Sequence, residues 1–306
     1  MKIAEAINDF LVHCEITKNQ SVNTIENYTR YLGRFEDFFK DIENIEAISL
    51  RDIQKYHLDL HRSTNKKGES LSVKTQNYYL IAVRALLKYL IKLDVEVMVP
   101  EKIELAKTEE RVVDFLNRDE LERLFSAVDP SARTGKRDRA ILECLYSTGL
   151  RVSELCRLNI AQVDLQHKEF GIQGKGKKIR IVFLSDRAVE YIREYLAQRS
   201  DNYSPLFISA SNRSAKVIDL TNNGESFRLS RDTVERVVQK YRINAGIIKH
   251  VTPHTLRHTF ATELLKNGAD IRSVQEMLGH SSITTTQIYT HVTHSKLRDI
   301  HSKFHE

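Results

Sequence analysis

Residues 251–290 read VTPHTLRHTFATELLKNGADIRSVQEMLGHSSITTTQIYT, and four groups in this stretch belong together chemically: His254, Arg257, His280 and Tyr289. Two imidazoles and a guanidinium suit an anion that gains charge as it reacts, and a tyrosine hydroxyl is a nucleophile for it. His254 and Arg257 stand three apart and share a helix face. Pro253 fits a first helical turn behind Thr252 as N-cap. That end of a helix offers unpaired N–H groups and partial positive charge to a phosphate. Lys266-Asn267-Gly268 closes the helix with a basic last turn and a glycine stop. A second, shorter helix is expected over about Asp270 to Leu278, with Gly279 as its end. His280 then lies on a turn, and Ser282 or Thr284 caps a third helix. That helix carries Tyr289, nine residues beyond His280.

The series HTLRH, LGH and a tyrosine nine residues on resembles the tyrosine recombinases, also called the phage integrase family. Within that family the small Xer-like members are the best match. Taken singly, these are ordinary surface histidines and a core tyrosine, but the pattern continues upstream. Ser147-Thr148-Gly149-Leu150-Arg151-Val152-Ser153-Glu154-Leu155 matches the family segment TGLRxSEL, and the resemblance implies a catalytic arginine at Arg151. Glu154, one helical turn on, either orients Arg151 or makes an ordinary helical salt bridge. Glu169–Gln173 and Lys178–Leu184 flank Gly174-Lys175-Gly176-Lys177, a hairpin signature. It resembles the family's β-hairpin, whose lysine follows the first glycine of GKGxK. That assigns Lys175, with Lys177 and Lys178 as competitors.

A length of 306 residues suggests two domains. A net charge of +6 favours a polyanionic partner without selecting one. There is no apolar run of membrane-spanning length, and the amphipathic start MKIAEAINDFLVHCEITKNQ is not a signal peptide. A cytoplasmic protein with no membrane association is expected. Cys14, Cys144 and Cys156 form no CxxC pair, so neither a disulfide nor a zinc site is expected. His254 and His258 are spaced for zinc but lack the acidic residue of HExxH; no metal or other cofactor is expected.

Residues 1–94 read as four amphipathic helices. Ile3, Ile7, Phe10 and Leu11 recur at helical spacing in the first, and Ile25, Tyr28, Leu32, Phe35 and Phe39 in the second. Ser49 caps a third helix reaching about His61. After a polar loop, a fourth runs from about Ser72 to Leu93 with Tyr78, Leu80, Ile81, Val83, Leu86, Leu87, Leu90 and Ile91 as its buried side. Lys18, Arg30, Lys66, Lys67, Lys74 and Gln76 read as facing away from the apolar stripes. A solvated helix surface accounts for any one of them. Together they resemble the core-binding domain of the recombinases, which grips one face of the duplex through phosphates and a few bases.

Residues 95–112 read as a linker and 113–306 as the catalytic domain. In it, Asn117 with Glu120 signals a capping box. Ser209–Leu229 is longer than in compact family members and reads as a tolerated insertion. The expected fold is therefore mainly α with a small β-sheet. A four-helix, SAM-like core-binding domain precedes an α+β catalytic domain, with no arm-binding domain before the bundle. Residues 290–306 form a tail in which Val292, Leu297, Ile300 and Phe304 make one narrow apolar stripe.

The implied reaction is transesterification at a phosphodiester of double-stranded DNA. Tyr289 attacks phosphorus, forms a 3′-phosphotyrosine and releases a 5′-hydroxyl; a second strand's 5′-hydroxyl reverses the step. His254 is the general base, Lys175 protonates the departing oxygen, and Arg151, Arg257 and His280 bind the phosphate oxygens. The arginines take the place that metal ions hold in many phosphoryl-transfer sites. The resemblance implies a homotetramer on two DNA sites, with the tail passed to the neighbouring protomer. It leaves open an accessory protein or a second, heteromeric recombinase. Two other readings compete: a type IB topoisomerase-like relaxase, and a catalytically silent DNA-binding regulator on the same scaffold. Tyr241 is the next candidate should Tyr289 not be the nucleophile.

Overall fold

The computed structural model describes residues 1–64, 68–108, 114–174, 179–209 and 222–279. The chain divides into two compact units, Met1–Glu110 and Arg111–Glu306. Among the described residues it is mainly helical with one two-stranded sheet, as the residue patterns predict. Among the described residues no helix is long and apolar enough to cross a membrane.

The first unit contains α1 (Ile3–Val12), α2 (Val22–Phe38), α3 (Leu50–Arg62) and α4 (Val73–Ile91). Capping sets two of the starts. Ser49 and Asp52 exchange bonds at the head of α3, and Ser72 accepts from the Thr75 N–H at the head of α4. The apolar stripes meet in one core that includes Phe10, Leu32, Phe35, Tyr56, Leu60, Leu80, Leu86 and Leu90. Ile103, within the stretch read as a linker, joins this core. The Asn77 amide brackets both the N–H and the carbonyl of Ala106, at 3.1 and 2.8 Å.

The core-facing side of α4 differs from the sequence reading. Tyr78, Ile81 and Ile91 are exposed, whereas Gln76 is 4% exposed. Residues 76, 80, 83, 87 and 90 form one row at i+3 and i+4 spacing, which carries Gln76 inward. Its amide donates to the Leu71 carbonyl at 2.7 Å, which satisfies a polar group in that position. Gln76 therefore does not stand on the outward face of the bundle.

The second unit contains α5 (Arg118–Ser126), α6 (Gly135–Thr148), α7 (Val152–Cys156), β1 (Glu169–Gln173), β2 (Ile179–Phe183), α8 (Asp186–Ala197), α9 (Arg231–Asn244), α10 (Pro253–Lys266) and α11 (Ile271–Leu278). Helix α6 is its axis. Ile141, Leu142, Cys144 and Leu145 are fully buried, and α8, α9 and α10 all pack against it. Of its two buried carboxylates, Asp138 accepts from Arg137 and from the Tyr241 hydroxyl of α9, and Glu143 accepts from Arg139 and Arg187. Strands β1 and β2 pair antiparallel, with Phe170 opposite Val182. Phe170, Ile172 and Val182 face the core, and Ile179, Ile181 and Phe183 lie exposed on the other face. Leu116, just ahead of α5, is fixed onto α10, because its N–H donates to Thr259 Oγ1 at 3.0 Å.

Candidate active site

Helix α6 ends at Gly149, whose φ of 60° is left-handed; a Cβ there would lie 2.5 Å from the Phe260 ring. Glycine thus lets the chain turn tightly beneath α10. Two residues later Arg151 caps α7. Its N–H donates to Glu154 Oε2 at 2.8 Å, and its guanidinium to Glu154 Oε1 at 2.9 Å. Glu154 therefore fixes both the start of the helix and the arginine side chain.

Helix α10 starts as the sequence predicts, with Thr252 capping and Pro253 in the first turn. His254 is exposed on that turn. Arg257, one turn further, is 3% exposed. It donates to the Gly149 carbonyl and to the Leu278 carbonyl, each at 2.6 Å. Helix α11 is capped by Asp270 and stops at Gly279, φ 64°.

The end of α11 is where the elements converge. Its last carbonyls have no partners within the helix and carry the negative end of its dipole. Three successive ones each accept from an arginine. Met277 O accepts from Arg180 Nε at 3.0 Å, Leu278 O from Arg257, and Gly279 O from Arg151 Nη2 at the longer distance of 3.4 Å. Three guanidiniums are thereby assembled at one point, and two of them, Arg151 and Arg180, share the Glu154 carboxylate. Burial alone would push the Glu154 carboxyl up; bonds from Arg180 and Arg151 outweigh it and hold the group at about 2. A positive cluster of this kind suits an anion that gains charge.

The sequence reading places Arg151, Glu154, His254 and Arg257 correctly on their elements, and the structure joins Arg151, Glu154 and Arg257 through the ends of α6 and α11. Lys175, Lys177, Lys178, His280 and Tyr289 lie outside the described residues, as do the third helix of the motif stretch and the tail. Arg180 escapes the sequence reading. Its signal is the alternation in Ile179-Arg180-Ile181-Val182-Phe183: Arg180 shares the inward face with buried Val182. A charge on that face requires a partner. Tyr241, the reserve nucleophile, is 2% exposed and donates to Asp138 at 3.0 Å. Burial and the adjacent carboxylate push its hydroxyl pKa up, which suits it poorly to attack.

Of the basic candidates in the first unit, Lys18 and Lys74 are exposed. Arg30 is exposed too, where it donates to Asn27 at 2.9 Å and lies over the Tyr31 ring. Lys66 and Lys67 lie outside the described residues, and Gln76 is buried as described above.

Residues 114–296 match the Phage integrase family, and residues 7–93 match the Phage integrase N-terminal SAM-like domain. The chain is 38% identical over 304 residues to the tyrosine recombinase XerD of Staphylococcus epidermidis, covering 98% of each. It is 37% identical over 306 residues to the tyrosine recombinase XerC of Pelobacter propionicus, covering 99% of this chain and 96% of that one. Among solved structures it is similar to the XerH site-specific recombinase bound to a palindromic difH substrate after cleavage. The TM-score is 0.71 at 25% identity, over 96% of this chain and 83% of that one.

Proposed function

The chain belongs to the phage integrase family and is a site-specific tyrosine recombinase acting on DNA, and on that premise we propose how its residues divide the work. Tyr289 attacks the scissile phosphorus and becomes joined to the 3′ end through a phosphotyrosine. His254 takes the tyrosine proton, and Lys175 returns one to the departing 5′ oxygen. Arg151 and Arg257 bind non-bridging oxygens, with a further hydrogen bond from His280. The phosphodiester's energy is kept in the covalent intermediate, so a second 5′-hydroxyl reseals the strand without an energy-rich cofactor.

The observation that carries this reading is the meeting of Arg151 and Arg257 at the end of α11, immediately before His280. Their charge is fixed at any working pH, so they stabilise the phosphorane without a proton transfer of their own. Lys18, Arg30, Lys66, Lys67 and Lys74 supply phosphate contacts from the first unit, giving affinity that falls with salt.

Assembly follows the same reading. Four protomers act on two sites, and residues 290–306 dock on the neighbouring protomer. The tail begins one residue after Tyr289, so its docking sets the nucleophile only when a neighbour is present. An accessory protein or a second recombinase would act through this assembly step. The protein works in the cytoplasm, where its DNA is.

The test begins by selecting the bound site from random duplex DNA. The chain is then incubated with a nicked copy of that site, which lets the cleaved end diffuse away and traps the adduct. A protein–DNA adduct at the 3′ phosphate, followed by exchange between two intact sites, is expected. Relaxation of any supercoiled plasmid without exchange would favour a topoisomerase-like relaxase. Tight binding with no adduct would mark a silent regulator.

A further inference from the structure

We propose that Arg180 is a positioning residue for cleavage: it takes up the charge of Glu154, so that Glu154 orients the Arg151 guanidinium without neutralising it. The inference rests on the reading of Arg151 as a phosphate ligand.

The Glu154 carboxylate serves two arginines unequally. Arg180 donates to both oxygens, Nη1 to Oε1 at 3.0 Å and Nη2 to Oε2 at 2.7 Å. This is the two-pronged geometry that makes the strongest guanidinium–carboxylate pairs. Arg151 gives its backbone N–H to Oε2 and one guanidinium N–H to Oε1. The Arg180 side chain is 8% exposed, while that of Arg151 is 35% exposed. The inner arginine thus has the structural pairing and the outer one is held by a single side-chain bond to the carboxylate.

The charges sum accordingly. An Arg151–Glu154 pair alone is neutral. At three residues apart, with both carboxylate oxygens available, Arg151 could close its fork on Glu154 and turn away from a phosphate. With Arg180 in place the trio carries one net positive charge, and both oxygens are already occupied. A net positive trio strengthens its pull on the phosphate as negative charge develops there.

Arg180 also fixes where this happens. Its Nε holds the Met277 carbonyl at 3.0 Å, so one side chain joins β2, α7 and the end of α11. It lies across Gly279, where a Cβ would come within 3.0 Å of Arg180 Cδ and 3.1 Å of Nη1. Lysine offers the charge but not three bonds in one plane.

The experiment uses the full chain on its selected, nicked site and measures the rate of adduct formation, with DNA affinity and thermal melting alongside. The native chain and Arg151→Ala are compared first. If the native chain forms no adduct, or Arg151→Ala keeps its rate, the reading of the site fails before Arg180 is tested. With that control met, Arg180→Gln should bind DNA normally and cleave about 100-fold more slowly, the scale of a misplaced catalytic group. Adding Glu154→Gln should restore the rate to within about tenfold of native, a strong coupling between neighbours. The added change removes the unbalanced carboxylate while leaving an oxygen for the Arg151 N–H. A native rate in Arg180→Gln overturns the proposal, and so does a double variant as slow as the single one. Should Arg180→Gln melt below the assay temperature, Arg180→Lys decides. Its ammonium still balances Glu154 although it loses the planar fork, so cleavage should fall below native yet stay well above that of Arg151→Ala; a rate as low as that of Arg151→Ala overturns charge sharing.

Discussion

The Arg257 guanidinium stands 2.6 Å from the Gly149 carbonyl, so the arginine of α10 holds the turn from which Arg151 departs. Its other prong holds Leu278 O at the same distance. One buried side chain therefore sets the spacing between the ends of α6 and α11. Arg257→Met keeps the length and removes both donors. Stripping two carbonyls of this donor should lower stability by roughly 2–4 kcal/mol, as expected for deleted bonds from a buried charged group. Urea unfolding near neutral pH measures it, and adduct formation should be lost as well. A variant as stable as the native chain would mean that water replaces Arg257 at no cost.

Tyrosine substitutions should separate chemistry from packing. Tyr289→Phe should melt and bind DNA like the native chain and form no adduct. Tyr241→Phe loses the bond to buried Asp138 and should cost about 1 kcal/mol while still forming the adduct. Adduct in the first variant, or its loss in a folded second one, would reverse the assignment of the nucleophile.

Lys175 carries a prediction of a different kind. As the general acid it matters only while the leaving oxygen needs a proton. Lys175→Ala should slow cleavage of ordinary DNA about 100-fold or more. It should be largely rescued when the bridging 5′ oxygen is replaced by sulfur, a better leaving group. Equal loss on both substrates would make Lys175 a DNA-binding residue.

Glu154 should make the fold sensitive to acid. Its carboxyl is held at about 2, below the ordinary 4.5. A depressed folded-state value stabilises the fold above the unfolded one, and that contribution disappears as pH falls from about 4.5 toward 2. A shift of this size corresponds to about 3 kcal/mol near neutral pH. Urea unfolding of the native chain and Glu154→Gln should show a gap near neutral pH that narrows by about pH 3. A gap that stays constant would mean that the charge of Glu154 contributes nothing to stability.

What could be read from sequence is what local chemistry sets. The starts at Ser49, Asn117, Thr252 and Asp270 and the stop at Gly279 depend on neighbours within four residues. Arg151 and Arg257 stood in dense motifs. Arg180 did not, because its partners are 26 and 97 residues away along the chain. Gln76 was misplaced for a related reason. Polarity assigned it to solvent, but its row on α4 points inward, and a carbonyl five residues back satisfies its amide. Tyr78, Ile81 and Ile91 show the converse, apolar side chains on an open flank of the same helix.

The acceptors that hold the three arginines at the end of α11 are main-chain oxygens, and main-chain oxygens survive a change of side chain. In a saturation library, the identities of Met277 and Leu278 should therefore drift within the limits of packing, with the arginine cluster intact. The intolerant positions should be those that shape the backbone. Gly149 has no room for a methyl group beneath Phe260, and Gly279 has little beneath Arg180. Sequence variation around this centre should thus be governed by peptide geometry, most sharply at the two glycines, where any side chain meets a left-handed backbone and a close neighbour.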